Sequence, residues 1–473
     1  MKAPSLSRAA ARLPEPRAAM VPAGLIALAA AAGWAVATLP PMLALGLMGG
    51  AAAGTLWLLR PDLALYAIIL LCPFNMTYRI AGVKDIQPHD LVLIVLLGCA
   101  ATSLLTESGH TGRFRTGFGR WLLWIWIGLV VWGTITYLLG PANQAILGGW
   151  KRDSWCVYRN VLRPLLPFPL LVLLLRDRAA AHRALDVVIA VGAAVALYGF
   201  YEAETTGMRP IGPFDTKNGL GGFLILTLPF PAARLMVSRL PMAQRLLYAG
   251  IVILTMRVIW SCGSRGAFAA LLASLLPLAL LIPHRNLMAA AVAGLIGITG
   301  LLVVKQDLLT RPRMVRYLTL KDPTEVENFQ WRVEQWDKVT DTILERPFLG
   351  TGSDISRTLL DEGRLGTAHN SYLGMALRSG IPMMLAWIGL IACLAIAAWR
   401  RARSAVDPGS RSLWIGIVTF LAALFVHTNV DNTLLMPQMQ YLFWIIASLA
   451  VVEAASPAAK PGGAAVAARA REA

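Results

Sequence analysis

Apolar runs separated by short polar stretches recur along the whole chain, and most approach the ~20 residues a helix needs to cross a bilayer core. They fall at about 22–38, 42–59, 62–79, 90–106, 121–139, 160–175, 183–202, 218–236, 246–260, 266–282 and 287–304. After a long polar interval they resume at about 371–398, 412–428 and 437–452. Some of these runs are short for a hydrocarbon core ~30 Å thick, so the pattern predicts an all-α polytopic membrane helical bundle of about 12–14 transmembrane helices. The two-residue alternation of a membrane barrel strand is absent from the runs, which leaves helices as the spanning elements.

The polar interval, residues 305–370, is the one long water-soluble stretch inside this apolar sequence and predicts a single large helical loop or cap. Within it Trp331, Trp336, Val339, Thr340, Ile343 and Leu344 fall largely on one face of an amphipathic helix. Glu345-Arg346-Pro347 ends that helix, and Leu349-Gly350-Thr351-Gly352 makes a tight turn. The tryptophans of this helix are expected to pack on neighbouring elements, with contact to the headgroup layer in addition. The chain thus divides into a basic cytoplasmic tail (1–20), an N-terminal transmembrane bundle (21–304), the cap (305–370), C-terminal transmembrane helices (371–453) and an Ala/Pro/Gly-rich tail (454–473) expected to be disordered. The first apolar run is followed directly by another and reads as a retained span rather than a cleaved signal.

Composition agrees: 57% of residues are hydrophobic, 15% are charged and the mean hydropathy is +0.61. Soluble proteins carry about a quarter charged residues. The net charge of +17 first suggests nucleic acid. The positive residues fall instead in short loops: Arg113, Arg115 and Arg120; Arg176, Arg178 and Arg183; Arg234, Arg239 and Arg245; Arg285; Arg400, Arg401, Arg403 and Arg411. These loops and both termini share one side, which the positive-inside rule makes cytoplasmic. The cap then falls on the opposite side, which is the periplasm if the host is a Gram-negative bacterium. Cys72, Cys99, Cys156, Cys262 and Cys393 show no paired spacing and read as small core residues.

On the cap side several cations stand where topology does not ask for them. Lys151, Arg152 and Arg159 precede one span, Arg163 lies just inside it, and Lys217 precedes Asn218-Gly219-Leu220-Gly221-Gly222. A cation at a span end can simply snorkel to the interface. Arg265, in the short turn Ser261-Cys262-Gly263-Ser264-Arg265-Gly266, has few routes to water, and membrane-edge cations in a cluster call for an anionic partner. A lipid-linked diphosphate is an anion available at that depth, and the guanidinium fork fits it.

His369 closes the cap in the polar run Thr367-Ala368-His369-Asn370-Ser371. It reads either as a packing residue at a helix start or as a general base, for which an imidazole titrating near neutrality is suited. Asn370 fits a helix cap. His427 and Asp431, at i and i+4, read as a supporting pair or as a local helix-end contact. No carboxylate pair or metal-ligand cluster stands out, and Asp354, Asp361 and Glu362 read as solvated loop residues, so neither metal nor other cofactor is expected.

Taken in order, Ser264-Arg265-Gly266, the helix from Trp331 to Ile343, Pro347-Phe348-Leu349-Gly350-Thr351-Gly352, His369-Asn370-Ser371-Tyr372-Leu373 and Ser379-Gly380-Ile381 resemble the O-antigen ligase and polymerase superfamily of bacterial inner-membrane glycosyltransferases. The resemblance runs from about Asn218 to Leu390. It implies a metal-independent inverting glycosyltransferase of about twelve spans acting on an undecaprenyl diphosphate-linked glycan. Arg265 and His369 match the family's functional arginine and histidine, and Arg159 and Arg163 are candidates for its further arginine. Arg378 departs from the pattern, standing where an acidic residue is expected. The implied activity is the ligase reaction, with lipid A-core as acceptor. The expected catalytic residues are His369 and Arg265. Arg159, Arg163, Arg265 and Lys217 are expected to bind the donor diphosphate, with Asn370 and Asn218 in support. A polymerase, a protein oligosaccharyltransferase and, in another class, a lipid-linked glycan flippase are the alternatives. A flippase has no need of a cap ending on His-Asn at the membrane edge, and the matched broken helices of a transporter are not apparent.

Overall fold

The computed structural model describes residues 61–74, 78–80, 83–106, 111–139, 157–238, 240–282, 323–352 and 368–456. The apolar runs at 22–38, 42–59 and 287–304, part of the cap and the tail beyond Ser456 lie outside these residues. Within them the chain is helical apart from one small hairpin. The helices are α1 (Pro61–Leu71), α2 (Pro88–Thr106), α3 (Gly117–Leu139), α4 (Pro167–Leu174), α5 (Arg178–Thr206), α6 (Lys217–Thr227) and α7 (Pro229–Val237). There follow α8 (Met242–Cys262), α9 (Arg265–Leu281), α10 (Pro323–Glu345), α11 (Ser371–Ser404), α12 (Pro408–Val430) and α13 (Pro437–Ala455). A π-helical turn, Tyr158–Leu162, precedes α4, and a 3-10 turn, Thr433–Leu435, links α12 to α13.

Seven helices among the described residues are long and apolar enough to cross a membrane: α3, α5, α6 continued by α7, α8, α11, α12 and α13. The chain is an all-α, multi-pass membrane protein. α8 and α3 turn large apolar side chains such as Trp124, Val131, Leu246 and Ile253 outward, as lipid-facing helices do. α12 and α13 are the inner helices. α12 packs on α7, α9 and α11, and α13 packs on α4 and α5 and buries Tyr441, Phe443 and Trp444 completely. Lipid tails are as apolar as leucine, so such packing rests on close fit between helices more than on expulsion of water.

The run expected as a span at 62–79 is not one helix. α1 stops at Leu71, about 16 Å of helix at 1.5 Å per residue, too short for the bilayer core. Pro73 follows, and Tyr78–Ile80 pairs antiparallel with Val83–Ile86 as strands β1 and β2. The tail assigned from residue 454 also starts slightly later, because α13 continues to Ala455.

One end of the bundle gathers the basic loops. Arg178 ion-pairs with Asp407 and, at 2.9 Å, with Glu453, joining the starts of α5 and α12 to the end of α13. Arg113 donates to the carbonyl of Val172 at 2.8 Å, and Arg411 to that of Leu281 at 3.1 Å. Arg401 lies 5.4 Å from the Phe118 ring and 5.3 Å from the Trp414 ring. Every one of these arginines comes from a loop whose charge predicted a common side.

At the other end, α11 is broken at Gly380, whose φ of 79° lies in the left-handed region. Pro382 has no N–H to continue the helix, so the carbonyl of Arg378 is left for another donor. Gly352 N–H fills that place at 3.0 Å, Thr351 N–H bonds the carbonyl of Leu377 at 2.8 Å, and Ile381 N–H turns to the carbonyl of Pro347 at 2.7 Å. The segment Pro347–Gly352 is therefore docked into the kink. A Cβ on Gly380 would stand 1.8 Å from the carbonyl oxygen of Phe348, so no other residue fits without separating the two. This contact anchors α10 to α11, which also share a small core of Val339, Ile343, Ala368, Ala376 and Leu377.

Candidate functional site

Three helix N-termini meet at a cavity of about 490 Å³ at the end of the bundle away from the basic loops. α6 begins after Thr216, whose hydroxyl accepts from Gly219 N–H at 3.0 Å, and brings Lys217 and Asn218 to the wall. α8 ends on Gly263 (φ 60°), and α9 starts two residues later with Ser264 accepting from Ala267 N–H at 3.4 Å. That short reversal sets Arg265 and Gly266 in the cavity wall. α11 begins just past His369, where the Asn370 side chain accepts from Tyr372 N–H at 2.9 Å and Leu373 N–H at 3.1 Å. Asn370 is thus the helix cap its position suggested.

Close approach of the helices depends on glycine. A Cβ on Gly222 would stand 2.8 Å from His427 Cε1, and one on Gly266 would stand 2.7 Å from a methyl of Val430. α6 and α9 therefore close directly on the last turns of α12, which end at Val430 and Asp431 in the same cavity. The remaining wall is α10, with Trp331, Arg332 and Trp336. Arg209, from the loop between α5 and α6, completes it. That loop is held by Glu202, whose carboxylate accepts from Ile211 N–H at 3.1 Å and Gly212 N–H at 2.8 Å.

The lining carries four cations, Arg209, Lys217, Arg265 and Arg332, and one carboxylate, Asp431. Helix N-termini add the positive end of the helix dipole. Such a lining favours an anion electrostatically. Among the described residues, no three His, Cys, Asp or Glu side chains gather closely enough to hold a metal ion.

His369 has φ 45°, and among the described residues it alone enters the left-handed region without being glycine. Such a backbone costs about 1–3 kcal/mol and persists only where its surroundings enforce it. Here Trp336 Nε1 donates to the Ala368 carbonyl at 2.6 Å on one side, and the Asn370 cap fixes the other. The constraint brings His369 Nδ1 within 3.6 Å of Asp431 Oδ1. That is too long for a hydrogen bond but close enough for an ion pair once the imidazole is protonated.

Asp431 is itself fixed. Its carbonyl accepts from Ser371 Oγ at 2.9 Å, and its carboxylate accepts from Asn432 N–H at 2.8 Å. Burial pushes the Asp431 carboxyl upward, but His369, the nearby His427 and the Asn432 N–H together hold it below its ordinary value. His427 turns its Nδ1 to Thr433 Oγ1 at 2.6 Å, so the i, i+4 spacing of His427 and Asp431 does not mark a side-chain hydrogen bond. The carboxylate faces His369 instead.

The structure therefore brings together Arg265, Lys217, Asn218 and His369. It does not bring Arg159 or Arg163 to that cavity. Arg159 lies on the π-helical turn, and Arg163, directly after it, is buried 3.5 Å from Asp90 Oδ2. The other oxygen of Asp90 accepts from the Tyr158 hydroxyl at 2.8 Å. Sequence reasoning missed Arg209, Arg332 and Asp431 as lining groups. Two of them are cations outside the basic-loop pattern, and Asp431 ends a span on the cap side.

Residues 249–388 match the family model described as O-Antigen ligase. By that segment the chain is similar to the O-antigen ligase superfamily. The match covers less than a third of the chain, from α8 into the kinked α11. It includes Arg265, Trp331, Arg332 and His369, while Arg209, Lys217 and Asp431 reach the same cavity from outside it. Members of the superfamily are glycosyltransferase-like ligases and polymerases that act on lipid-linked glycans at a bilayer. A comparison with curated proteins finds no match.

Proposed function

We propose that the chain is an O-antigen ligase, an inverting and metal-independent glycosyltransferase that moves O-antigen polysaccharide from undecaprenyl diphosphate to lipid A-core. The observation that carries this reading is the strained His369, backed by Asp431, in one wall of a cavity that four cations and three helix N-termini also line. One part of that arrangement suits a diphosphate and the other suits an acceptor hydroxyl.

In this reading Arg265 and Lys217 hold the donor diphosphate, with Arg209 and Arg332 beside them and Asn218 in support. Arginine can grip two phosphate oxygens at once, and lysine adds a point charge. His369 takes the proton of the acceptor hydroxyl as its oxygen attacks the anomeric carbon from the face opposite the diphosphate. The new C–O bond forms, the bond to the diphosphate breaks, and the configuration inverts. The electron pair of the broken bond stays on the departing undecaprenyl diphosphate, where fixed cations stabilise it without reorganising. Asp431 stabilises the imidazolium left behind. Asn370 contributes by capping α11, and Arg163, paired with Asp90, supports the bundle away from the chemistry.

The gathering of basic loops at the opposite end favours a cavity opening to the periplasmic side of the inner membrane, with the segment 305–370 as its cap. The test is reconstitution: purified protein, undecaprenyl diphosphate-linked glycan and rough lipopolysaccharide in excess EDTA. The expected product is glycan-bearing lipopolysaccharide with inverted anomeric configuration. Extension of glycan on its lipid carrier, with no product on lipopolysaccharide, would identify a polymerase instead. Activity that appears only on adding Mg²⁺ or Mn²⁺ would sink the metal-independent mechanism.

A further inference from the structure

The side of α10 that faces α11 forms a stripe at a spacing of three to four residues: Gln335, Val339 and Ile343 are buried along it. One step further toward the N-terminus the same stripe reaches Trp331, yet this large aromatic is 40% exposed. There the stripe runs out over the cavity, whose wall Trp331 lines. What Trp331 does touch is His369, at a ring-centroid distance of 5.9 Å with the planes inclined at 63°. The two rings do not stack flat.

Its position is held on both sides. The neighbouring Arg332 donates to the Val430 carbonyl at 3.1 Å, and Trp336 donates to the Ala368 carbonyl at 2.6 Å. α10 is thus fastened to the end of α12 and to the segment that carries His369. A half-exposed indole beside a histidine, in the wall of a cavity that also carries four cations, is a surface suited to a ligand with both apolar and hydroxylated faces.

We propose that Trp331 is the platform on which the acceptor sugar ring stacks, and that it determines how tightly the acceptor binds. The inference rests on the glycosyl-transfer reading, in which His369 meets the acceptor hydroxyl. The indole face carries negative quadrupolar charge and attracts positively polarised C–H groups, as it does the edge of another aromatic ring. A pyranose presents such C–H groups on one face while its hydroxyls remain at the rim. A sugar lying on Trp331 therefore has a rim hydroxyl within reach of the neighbouring imidazole. The diphosphate is drawn to the cations around Arg265 and Lys217 and makes no demand on an aromatic face.

The experiment measures transfer with rough lipopolysaccharide as the varied acceptor and undecaprenyl diphosphate-linked glycan as donor, for wild type and Trp331→Ala, Trp331→Leu and Trp331→Phe. Each variant is first matched to wild type by detergent gel filtration. Trp331→Ala is expected to raise the acceptor KM about tenfold, equivalent to the loss of one stacking contact, with donor KM within about twofold. Trp331→Phe should recover most of the acceptor affinity. Trp331→Leu, which keeps apolar bulk without a π face, should resemble the alanine variant. Binding of rough lipopolysaccharide without donor should rank the four proteins in the same order.

Leucine performing as well as phenylalanine would overturn the platform and leave Trp331 as apolar bulk against its neighbours or the headgroup layer. A shift in donor KM with acceptor KM unchanged would overturn it too. In both cases wild-type transfer remains intact, so the platform fails alone. A wild-type protein that transfers to no glycan acceptor overturns the glycosyl-transfer reading and the platform with it.

Discussion

Asp431 places its Oδ1 3.6 Å from Nδ1 of His369, and the two residues reach each other from different helices. His369 stands before α11 and Asp431 just past α12. Asp431→Asn keeps the shape of the side chain and removes the charge that would stabilise an imidazolium. It is expected to lower kcat about ten- to hundredfold, the ~1.5–3 kcal/mol worth of a polar contact to a charged group, with donor binding unchanged. Transfer rates and donor-lipid binding on the purified variant check this. The same carboxyl is held below its ordinary value in the fold, so the unfolded chain binds its proton more readily. Its contribution to stability is present above the unfolded pKa and is lost as pH falls through the lower, folded one. Wild type should therefore out-melt Asp431→Asn at pH near 7, and the gap should narrow on acidification below about pH 4.

His369 lets backbone and chemistry be separated. Alanine at φ 45° keeps the left-handed penalty, while glycine adopts that conformation freely. His369→Gly should melt at least as high as His369→Ala, and both should lose transfer about 10²–10⁴-fold if the imidazole is the base. Thermal unfolding in detergent beside transfer rates gives both numbers. A folded His369→Ala that turns over near the wild-type rate would reduce this residue to a packing role.

The membrane bundle was readable because its signal is repeated and strong: long apolar runs punctuated by arginines in alternate loops, all on one side. Arg113, Arg178, Arg401 and Arg411 do gather at one end, as their spacing predicts. The run at 62–79 misled because hydropathy does not register the break that Pro73 and the short hairpin impose. Arg265 and His369 were readable from local context, a glycine-flanked turn and a polar run at a helix start. Asp431 was visible as a residue but not as a partner of His369, since helix periodicity pairs it with His427 and only the meeting of α11 with α12 turns it elsewhere. Arg163 shows the converse. A cation at a span edge looks the same in sequence whether it faces a ligand or a buried carboxylate such as Asp90.

The docking of Pro347–Gly352 into the α11 kink makes Gly380 a position of high sensitivity. An alanine there would meet the Phe348 carbonyl and take on the left-handed backbone as well. Gly380→Ala is expected to destabilise by roughly 3 kcal/mol or more, the range in which overpacking and strain add. Loss of the monodisperse gel-filtration peak, or a large fall in melting temperature, is the expected result. Gly389, with open space around its Cα, should accept alanine with little change and serves as the control in the same helix.

The two arginines expected to share one task should part company in the same assays. Arg265 lines the cavity, and Arg163 is buried 3.5 Å from Asp90. If Arg265 stabilises the leaving diphosphate, Arg265→Ala should fold normally and lose about 10²–10³ in rate, the effect of removing one preorganised charge-stabilising donor. Arg265→Lys keeps the charge without the two-pronged grip and should remain impaired, though less so. Arg163→Ala leaves Asp90 charged and unpaired in the bundle interior, which typically costs about 3–5 kcal/mol, so its primary defect should be in folding. Replacing both partners, Arg163→Met with Asp90→Asn, removes the stranded charge and should restore much of the stability lost in Arg163→Ala. If the double variant is well folded and transfers glycan near the wild-type rate, Arg163 has no part in donor binding. If it is well folded yet fails to bind the donor lipid, Arg163 belongs with Arg265 after all, and the cavity must rearrange to reach it when the donor arrives.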